Sequence, residues 1–408
     1  MKMKIIPNTY DEIEIESWKE ARCQFGENLP REVEQRLEKE LQMIQKNDFT
    51  VYYKVAKLIA DKARLLGRTI GIRGSSGSSL VAYLLGITGI NPLPASYGGY
   101  NIPFESFAGV NGEKEPDFDF YLDEETRNQI IVYLKEIFGE KKVVYVSVRK
   151  EEVDENLPNE VHPCGVFFFP ETIDFKAEMA SSDDLNEKVL VTQKEYEELL
   201  ADHMKIDLLV HPDFEFLRKI ENKTKVKASE VKVEDSEILN YVSGEGKALD
   251  DISEYATPFA QSLVKTLNPK TLEEWVKISA LSHGMDVWPD NAEQLIQSGQ
   301  CTLKDVIGSS DDIMNILLDY GVSTEDAFEI MKFVSKGLAT RQVQQKKWGE
   351  YVRIMKLNNV PQWFISSCEK CKYLFSKAYA VSRVQVACRM AYYKMHFPEF
   401  YKETVAEI

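Results

Sequence analysis

The sequence predicts an α/β (α+β) protein, a mixed sheet interleaved with helices followed by an all-helical domain. Three observations carry this reading. Strand-like and helix-like segments alternate between residues 67 and 225, whereas the apolar pattern is helical from Ser229 onward. A turn rich in glycine and serine separates the first strand from the helix behind it. The expected divisions are a helical part at 1–66, the sheet-bearing part at 67–225 and the helical domain at 226–408.

The N-terminal part carries two amphipathic runs, Glu32 to Ile44 and Tyr53 to Leu65. Arg68-Thr69-Ile70-Gly71-Ile72 then reads as a strand, and Ser79-Leu80-Val81-Ala82-Tyr83-Leu84-Leu85 as the start of a helix. Between them lies Arg73-Gly74-Ser75-Ser76-Gly77-Ser78, small residues that expose backbone N–H groups. At a helix N-terminus such a turn attracts phosphate oxygens. It is not a Walker A loop, since no Gly-Lys-Ser/Thr follows, and it lacks the dinucleotide spacing G-x-G-x-x-G. The other reading is a flexible strand-to-helix turn.

Pro116-Asp117-Phe118-Asp119-Phe120 reads as the next strand. Strand side chains alternate faces, so Asp117 and Asp119 share one face and Phe118 and Phe120 the other. Two carboxylates this close repel unless a cation lies between them. An oxygen-rich site of this kind suits Mg²⁺, with Mn²⁺ as an alternative, and two such ions can clamp a transferring phosphate. An exposed acidic strand end is the competing explanation. A helix is expected from Glu124 to Phe138 and strands at Val143 to Val148 and at Phe167-Phe168-Phe169, the last ended by Pro170. Residues 175–203 are polar and acidic and read as a loop plus helix.

Lys205-Ile206-Asp207-Leu208-Leu209-Val210 reads as a strand with Ile206, Leu208 and Val210 buried and Asp207 on the other face. A carboxylate beside an apolar run needs a partner, either a metal or Lys205. Beyond a linker turn expected at Gly244-Glu245-Gly246-Lys247, helices are expected at Thr271–Leu281, Asp290–Ser298, Asp311–Tyr320, Thr324–Lys336, Lys346–Lys356 and Val381–His396.

Taken together, long segments of the chain resemble the polymerase core of the bacterial DNA polymerase III alpha subunit of PolC type, a C-family DNA polymerase. They include Leu29-Pro30-Arg31-Glu32-Val33, Arg73-Gly74-Ser75 to Ser79, Asn91-Pro92-Leu93-Pro94, Pro116-Asp117-Phe118-Asp119, Lys205-Ile206-Asp207, Leu281-Ser282-His283-Gly284-Met285-Asp286-Val287-Trp288, Val360-Pro361-Gln362-Trp363 and Lys372-Tyr373-Leu374-Phe375-Ser376-Lys377-Ala378. The resemblance runs, with gaps, from near one end of the chain to the other. It implies a nucleotidyltransferase palm like that of DNA polymerase β, followed by a helical fingers domain. It implies that Asp117, Asp119 and Asp207 are the catalytic, metal-binding triad for two Mg²⁺ ions. Arg73, Gly74, Ser75, Ser76, Gly77, Ser78 and Ser79 would hold the triphosphate, and Lys336, Arg341, Lys372 and Lys377 would close over the nucleotide.

This chain also departs from the family. His162 follows Asp119 by only 43 residues, so the thumb is expected to be replaced by a short turn near 149–161. Ser96-Tyr97-Gly98-Gly99-Tyr100 stands in place of the zinc insertion, Cys164 in place of a glycine, and Ser376 and Tyr379 in place of a proline and a histidine. The expectation is a compact version without thumb, zinc insertion, exonuclease, PHP or clamp-binding regions. Its substrates would be dNTPs with primer–template DNA or another primer. A second copy of the chain or a protein partner could fill the thumb's role. Two other functions fit the same residues: a template-independent or specialised nucleotidyltransferase, in a mobile-element or phage-defence role, and a non-catalytic scaffold.

Composition bounds these options. The 408 residues are 44% hydrophobic, which suits an ordinary globular chain. No stretch approaches a membrane span and no signal peptide precedes the first helix, so the expected location is the cytoplasm. The six cysteines offer no metal-ligand set, and Cys368 and Cys371 read as core. A net charge of −16 is poor for a DNA binder, but Met331 to Met395 holds 13 Lys plus Arg against 2 acids. That segment interleaves Trp348, Tyr351, Trp363, Phe364, Tyr373, Phe375 and Tyr379 and reads as a nucleotide or single-strand surface, or as a basic face over core aromatics. The same asymmetry could serve self-association.

Overall fold

The computed structural model describes residues 10–148, 165–169, 178–179, 189–243 and 249–408. The short turn expected at 149–161, His162, Cys164 and the linker turn at 244–247 lie outside these residues.

Three helices open the chain: α1 (Tyr10–Phe25), α2 (Arg31–Lys46) and α3 (Thr50–Leu65). The apolar stripes expected in α2 and α3 are buried, with Val33, Leu37, Leu41 and Ile44 on one and Tyr53, Val55, Ile59 and Ala63 on the other. The first strand is shorter than expected, β1 being only Gly71–Arg73. Short helices α4 (Leu80–Leu84) and α5 (Glu105–Ala108) lead to β2 (Asp119–Leu122), α6 (Glu124–Phe138) and β3 (Val143–Val148). Helix α6 begins where Asp123 accepts the Thr126 N–H at 3.0 Å, and ends at Gly139, so local capping sets both bounds.

Strands β4 (Gly165–Phe168), β5 (Glu178–Met179) and β6 (Val189–Val191), helix α7 (Gln193–Asp202), strand β7 (Met204–Val210) and helix α8 (Pro212–Thr224) complete the sheet-bearing part. The sheet has seven strands in the order β1-β2-β7-β4-β3-β6-β5. It is mixed, since β2 runs parallel to β7 and β3 parallel to β6, while the other pairs are antiparallel. Val210, expected to be buried, is exposed at the end of β7, whereas Asp207 is buried.

The remainder is helical: α9 (Ser236–Ser243), α10 (Pro258–Leu267), α11 (Leu272–His283), α12 (Glu293–Gln297), α13 (Ser310–Asp319), α14 (Thr324–Ser335), α15 (Gln345–Leu357), α16 (Gln362–Cys368), α17 (Lys377–His396) and α18 (Pro398–Ala406). The fold class is therefore an α/β sheet with a helical region beside it. Helix α17 returns to the sheet and packs on β1, where the Ile72 N–H donates to Ser382 Oγ at 3.3 Å. One apolar core runs from Ile13 through Phe118 and Phe120 to Tyr401, so sheet and helices share their interior. Among the described residues no helix is long and apolar enough to cross a membrane.

Candidate active site

Strand register assembles the site. Arg73 on β1 lies opposite Asp119 on β2, Asp119 opposite Asp207 on β7, and Asp207 opposite Gly165 on β4. One row across four strands thus carries a guanidinium, two carboxylates and a glycine. Asp117 lies two residues before Asp119, just outside β2, and its side chain is half exposed. A cleft of about 410 Å³ lies over this row. Its floor includes Arg73, Gly74, Ser75, Asp117, Asp119 and Asp207, and its far wall is Tyr373, Phe375, Ser376 and Tyr379. The three predicted carboxylates and the leading half of the predicted turn therefore line one cleft.

The carboxylates are unevenly satisfied. Asp119 Oδ1 and Asp207 Oδ1 are buried, and no donor among the described residues reaches either. Burial, then the charges of Asp117 and Asp207, hold the Asp119 carboxyl well above its ordinary range. Burial also raises Asp207, against the pull of Lys205. Buried carboxylate oxygens without donors, faced by like charges, are suited to a cation. The donor set is all oxygen and suits Mg²⁺ or Mn²⁺. As the side chains stand, no three acidic, histidine or cysteine groups among the described residues converge on one point, and Lys205 lies among the carboxylates instead.

The turn divides into two halves. Gly74 has φ +77°, a conformation that L side chains rarely adopt, and it brings the chain within reach of Asp119. Ser75 faces the cleft and accepts from Lys114 Nζ at 3.0 Å, while the same ammonium donates to the Ser106 carbonyl at 3.1 Å. Beyond it, Ser76, Gly77 and Ser78 fold inward as a buried 3₁₀ turn, and Ser79 caps α4. The amides at the start of α4 are already used: Leu80 and Val81 donate to Glu40 at 2.9 and 3.1 Å, and Ala82 to Ser79 Oγ at 3.1 Å. Glu40, on α2, takes the place at this helix N-terminus that the sequence offers to a phosphate. The turn's outer residues, Arg73 to Ser75, are the part that meets the cleft.

The four cations expected from the helical region separate. Lys336 and Arg341 are exposed after α14, and Lys336 bears electrostatically on Lys114. Lys372 is exposed and paired with Asp286 at 2.6 Å. Lys377 is buried and lines a second cavity of about 160 Å³ with Lys277 and Asp312. Its backbone N–H donates to Asp311 at 2.6 Å. The interleaved aromatics divide as well. Trp348, Tyr351 and Phe364 belong to the core, and Tyr373, Phe375 and Tyr379 reach the cleft. Cys368 and Cys371 are buried, as core residues.

Sequence reasoning missed Lys114 and Glu40. Lys114 sits between Glu113 and Glu115, so it reads as one charge of a solvated loop. Glu40 is separated from its partners by about forty residues, and no local pattern marks it. The network below the cleft was equally silent. Arg383 on α17 pairs with Asp213 of α8 at 2.9 Å and with Glu254 at 3.0 Å, and Glu254 meets His283 at 2.9 Å.

Two family profiles match the chain. The bacterial DNA polymerase III alpha NTPase domain matches residues 11–157, and the bacterial DNA polymerase III alpha subunit finger domain matches residues 213–359. Relatives named DNA polymerase III PolC-type are 32% identical in Caldanaerobacter subterraneus subsp. tengcongensis, over 98% of this chain and 34% of the relative. In Bacillus cereus the figures are 32%, 95% and 32%, and in Halalkalibacterium halodurans 32%, 96% and 33%. The chain spans about a third of the length of these relatives. The first alignment extends over 483 residues, more than the 408 of this chain, so that relative carries segments this chain lacks.

Proposed function

The chain belongs to the bacterial DNA polymerase III alpha family, with relatives of PolC type, and from that premise we propose that it is a DNA-directed DNA polymerase core. The proposed reaction joins a primer 3′-hydroxyl to the α-phosphate of a dNTP. The hydroxyl loses its proton to solvent as its oxygen forms the new P–O bond, the bond to the β-phosphate oxygen breaks, and pyrophosphate leaves with the electron pair.

The observation that carries this reading is the row Arg73–Asp119–Asp207, with donor-free carboxylate oxygens beneath a cleft edged by the Gly74–Ser75 turn. Asp117, Asp119 and Asp207 would hold two Mg²⁺ ions, which when bound would make the hydroxyl more acidic and neutralise charge on the phosphate. Arg73, Ser75 and Lys114 would hold the outer phosphates, and the aromatic wall would take the sugar and base. Lys336 and Arg341, with Lys372 once it leaves Asp286, are the cations proposed to approach from the helical region. Lys377 would support that wall from behind, through Asp311.

Primer extension with Mg²⁺ and labelled dNTPs, with and without template, tests the proposal beside an Asp117→Ala/Asp119→Ala control. Template-directed product lost in the control is the expected result. Product that ignores the template would replace this reading with a terminal transferase. Product that survives the control would remove the triad assignment, and absence of product under every condition would favour a scaffold.

A further inference from the structure

Lys205 lies among the carboxylates of the cleft. Its Nζ is 2.7 Å from Asp207 Oδ2 and 3.5 Å from Asp117 Oδ1, and its side chain is 14% exposed. Lys205 and Asp207 are two apart on β7, so they project from the same face of the sheet. Burial opposes the ammonium charge, but Asp207, Asp117 and Asp119 outweigh it and raise the lysine above its ordinary value.

Strand β4 leaves the room for this arrangement. Gly165 is the register partner of Asp207. A Cβ there would meet the Lys205 stem at 3.0 Å and Asp207 Oδ1 at 3.1 Å. Gly165 thus lets a four-carbon stem fold across the sheet to place a point charge on two of the three carboxylates. The third, Asp119, keeps an oxygen without a donor.

We propose that Lys205 is a positioning residue that serves as the internal counter-cation of the metal-free site and yields its place when a divalent cation binds. The inference rests on reading Asp117, Asp119 and Asp207 as the metal-binding set. A divalent ion on Asp207 and Asp117 would compete with the ammonium for the same oxygens, and two cations that close repel. The flexible stem allows Lys205 to swing aside, where its charge can meet an anionic phosphate. Metal loading and anion binding would thereby be linked through one side chain.

The test is Mn²⁺ binding to the full chain, followed by electron paramagnetic resonance without nucleotide, in wild type, Lys205→Met and Asp119→Asn. The expected result is that Lys205→Met binds Mn²⁺ about tenfold more tightly than wild type, while Asp119→Asn binds at least tenfold more weakly. Equal or weaker binding by Lys205→Met, with Asp119→Asn still impaired, would overturn the role of Lys205 and leave the metal site standing. Equal binding by wild type and Asp119→Asn would overturn the metal reading and this inference with it. Should Lys205→Met not fold, Lys205→Gln keeps a donor for Asp207 and removes the charge, and the same comparison applies. A second readout follows Lys205 itself. Its acylation, measured by mass spectrometry, should quicken several-fold when Mg²⁺ is added, and an unchanged rate would count against displacement.

Discussion

Asp119 and Asp207 stand directly opposite each other in the parallel pairing of β2 and β7, and each keeps one buried carboxylate oxygen that no donor among the described residues reaches. A fold that sets two acids side by side in this way is destabilised by their repulsion. Such a cost is tolerated where the groups serve a site rather than the fold.

Asp119→Asn should therefore separate stability from activity. Nucleotidyl transfer should fall by about a thousandfold, as when a charge-stabilising group is removed from a reacting centre. Stability at neutral pH in a chelator should rise by about 1 kcal/mol, the usual gain on relieving a functional site. The pH dependence follows from the sign of the shift. Burial and the neighbouring acids raise the Asp119 carboxyl in the folded state, so the native protein binds this proton more tightly than the unfolded chain does. The wild type then loses stability as pH rises through the raised value, and the advantage of Asn fades as pH falls through it. Calorimetry of both proteins from neutral to acidic pH checks this. A constant difference would contradict it.

Glu40→Ala should weaken the turn without touching the cleft. Glu40 is fully buried and accepts from Ser79 Oγ and the Leu80 and Val81 amides, and it pairs with Arg36 at 2.5 Å. Removing it leaves the Leu80 and Val81 amides without an acceptor and takes the anionic partner from Arg36, which keeps the Ser78 and Ile102 carbonyls, at a cost of about 3–5 kcal/mol. Glu40→Gln, which keeps an acceptor, should cost less. Urea titration of both variants measures the order.

These partners also mark what was legible in the sequence. Helix α6 and strand β3 fall where the pattern places them, because capping by Asp123 and the run Val143 to Val148 are local signals. That Asp117 and Asp119 share a face was legible from strand alternation, whereas joining Asp207 to them as a set rested on the resemblance, because the pairing of β2 with β7 spans nearly ninety residues. The inward fold of Ser76 to Ser78 was not. It depends on Glu40 having taken the α4 amides, a relation across some forty residues. Strand β1 begins three residues later than the expected Arg68 and ends one beyond Ile72, since only Gly71 to Arg73 find partners on β2. Lys377 is expected, from the resemblance, to close over the nucleotide, yet the start of α17 carries it to Lys277 and Asp312.

Ser376→Ala should loosen the link between helix and turn. The Ser376 hydroxyl caps α17 by accepting the Tyr379 N–H at 3.3 Å, and it donates to the Gly74 carbonyl at 2.9 Å. Loss of a cap costs about 1 kcal/mol. Because Gly74 borders Asp119, KM for the nucleotide should rise more than kcat falls. Steady-state kinetics beside a melting curve would show this. A pure loss of stability with unchanged KM would confine Ser376 to capping.

Arg383→Met tests how the helices are held to the sheet. The guanidinium is buried between Asp213 of α8 and Glu254, with His211 Nε2 at 3.2 Å and Ser253 Oγ at 3.3 Å. Removing it takes the shared cation from two buried carboxylates and leaves them Ser253 on Asp213 and Ser279 with His283 on Glu254, which should cost about 3–5 kcal/mol. Arg383→Met with Asp213→Asn and Glu254→Gln removes those charges and should recover much of that loss. Glu254 adds a pH signature. Burial pushes its carboxyl up, but His283, Arg383 and Ser279 outweigh burial and hold it below its ordinary 4.5. The native state therefore releases this proton more readily than the unfolded chain. The stability it contributes is complete above 4.5 and is lost as pH falls toward the lower folded value. Chemical denaturation of wild type and Arg383→Met across this acidic window should show a shallower loss in the variant, because one of the charges that depress Glu254 is gone. Parallel curves would mean that His283 and Ser279 hold Glu254 without help from Arg383.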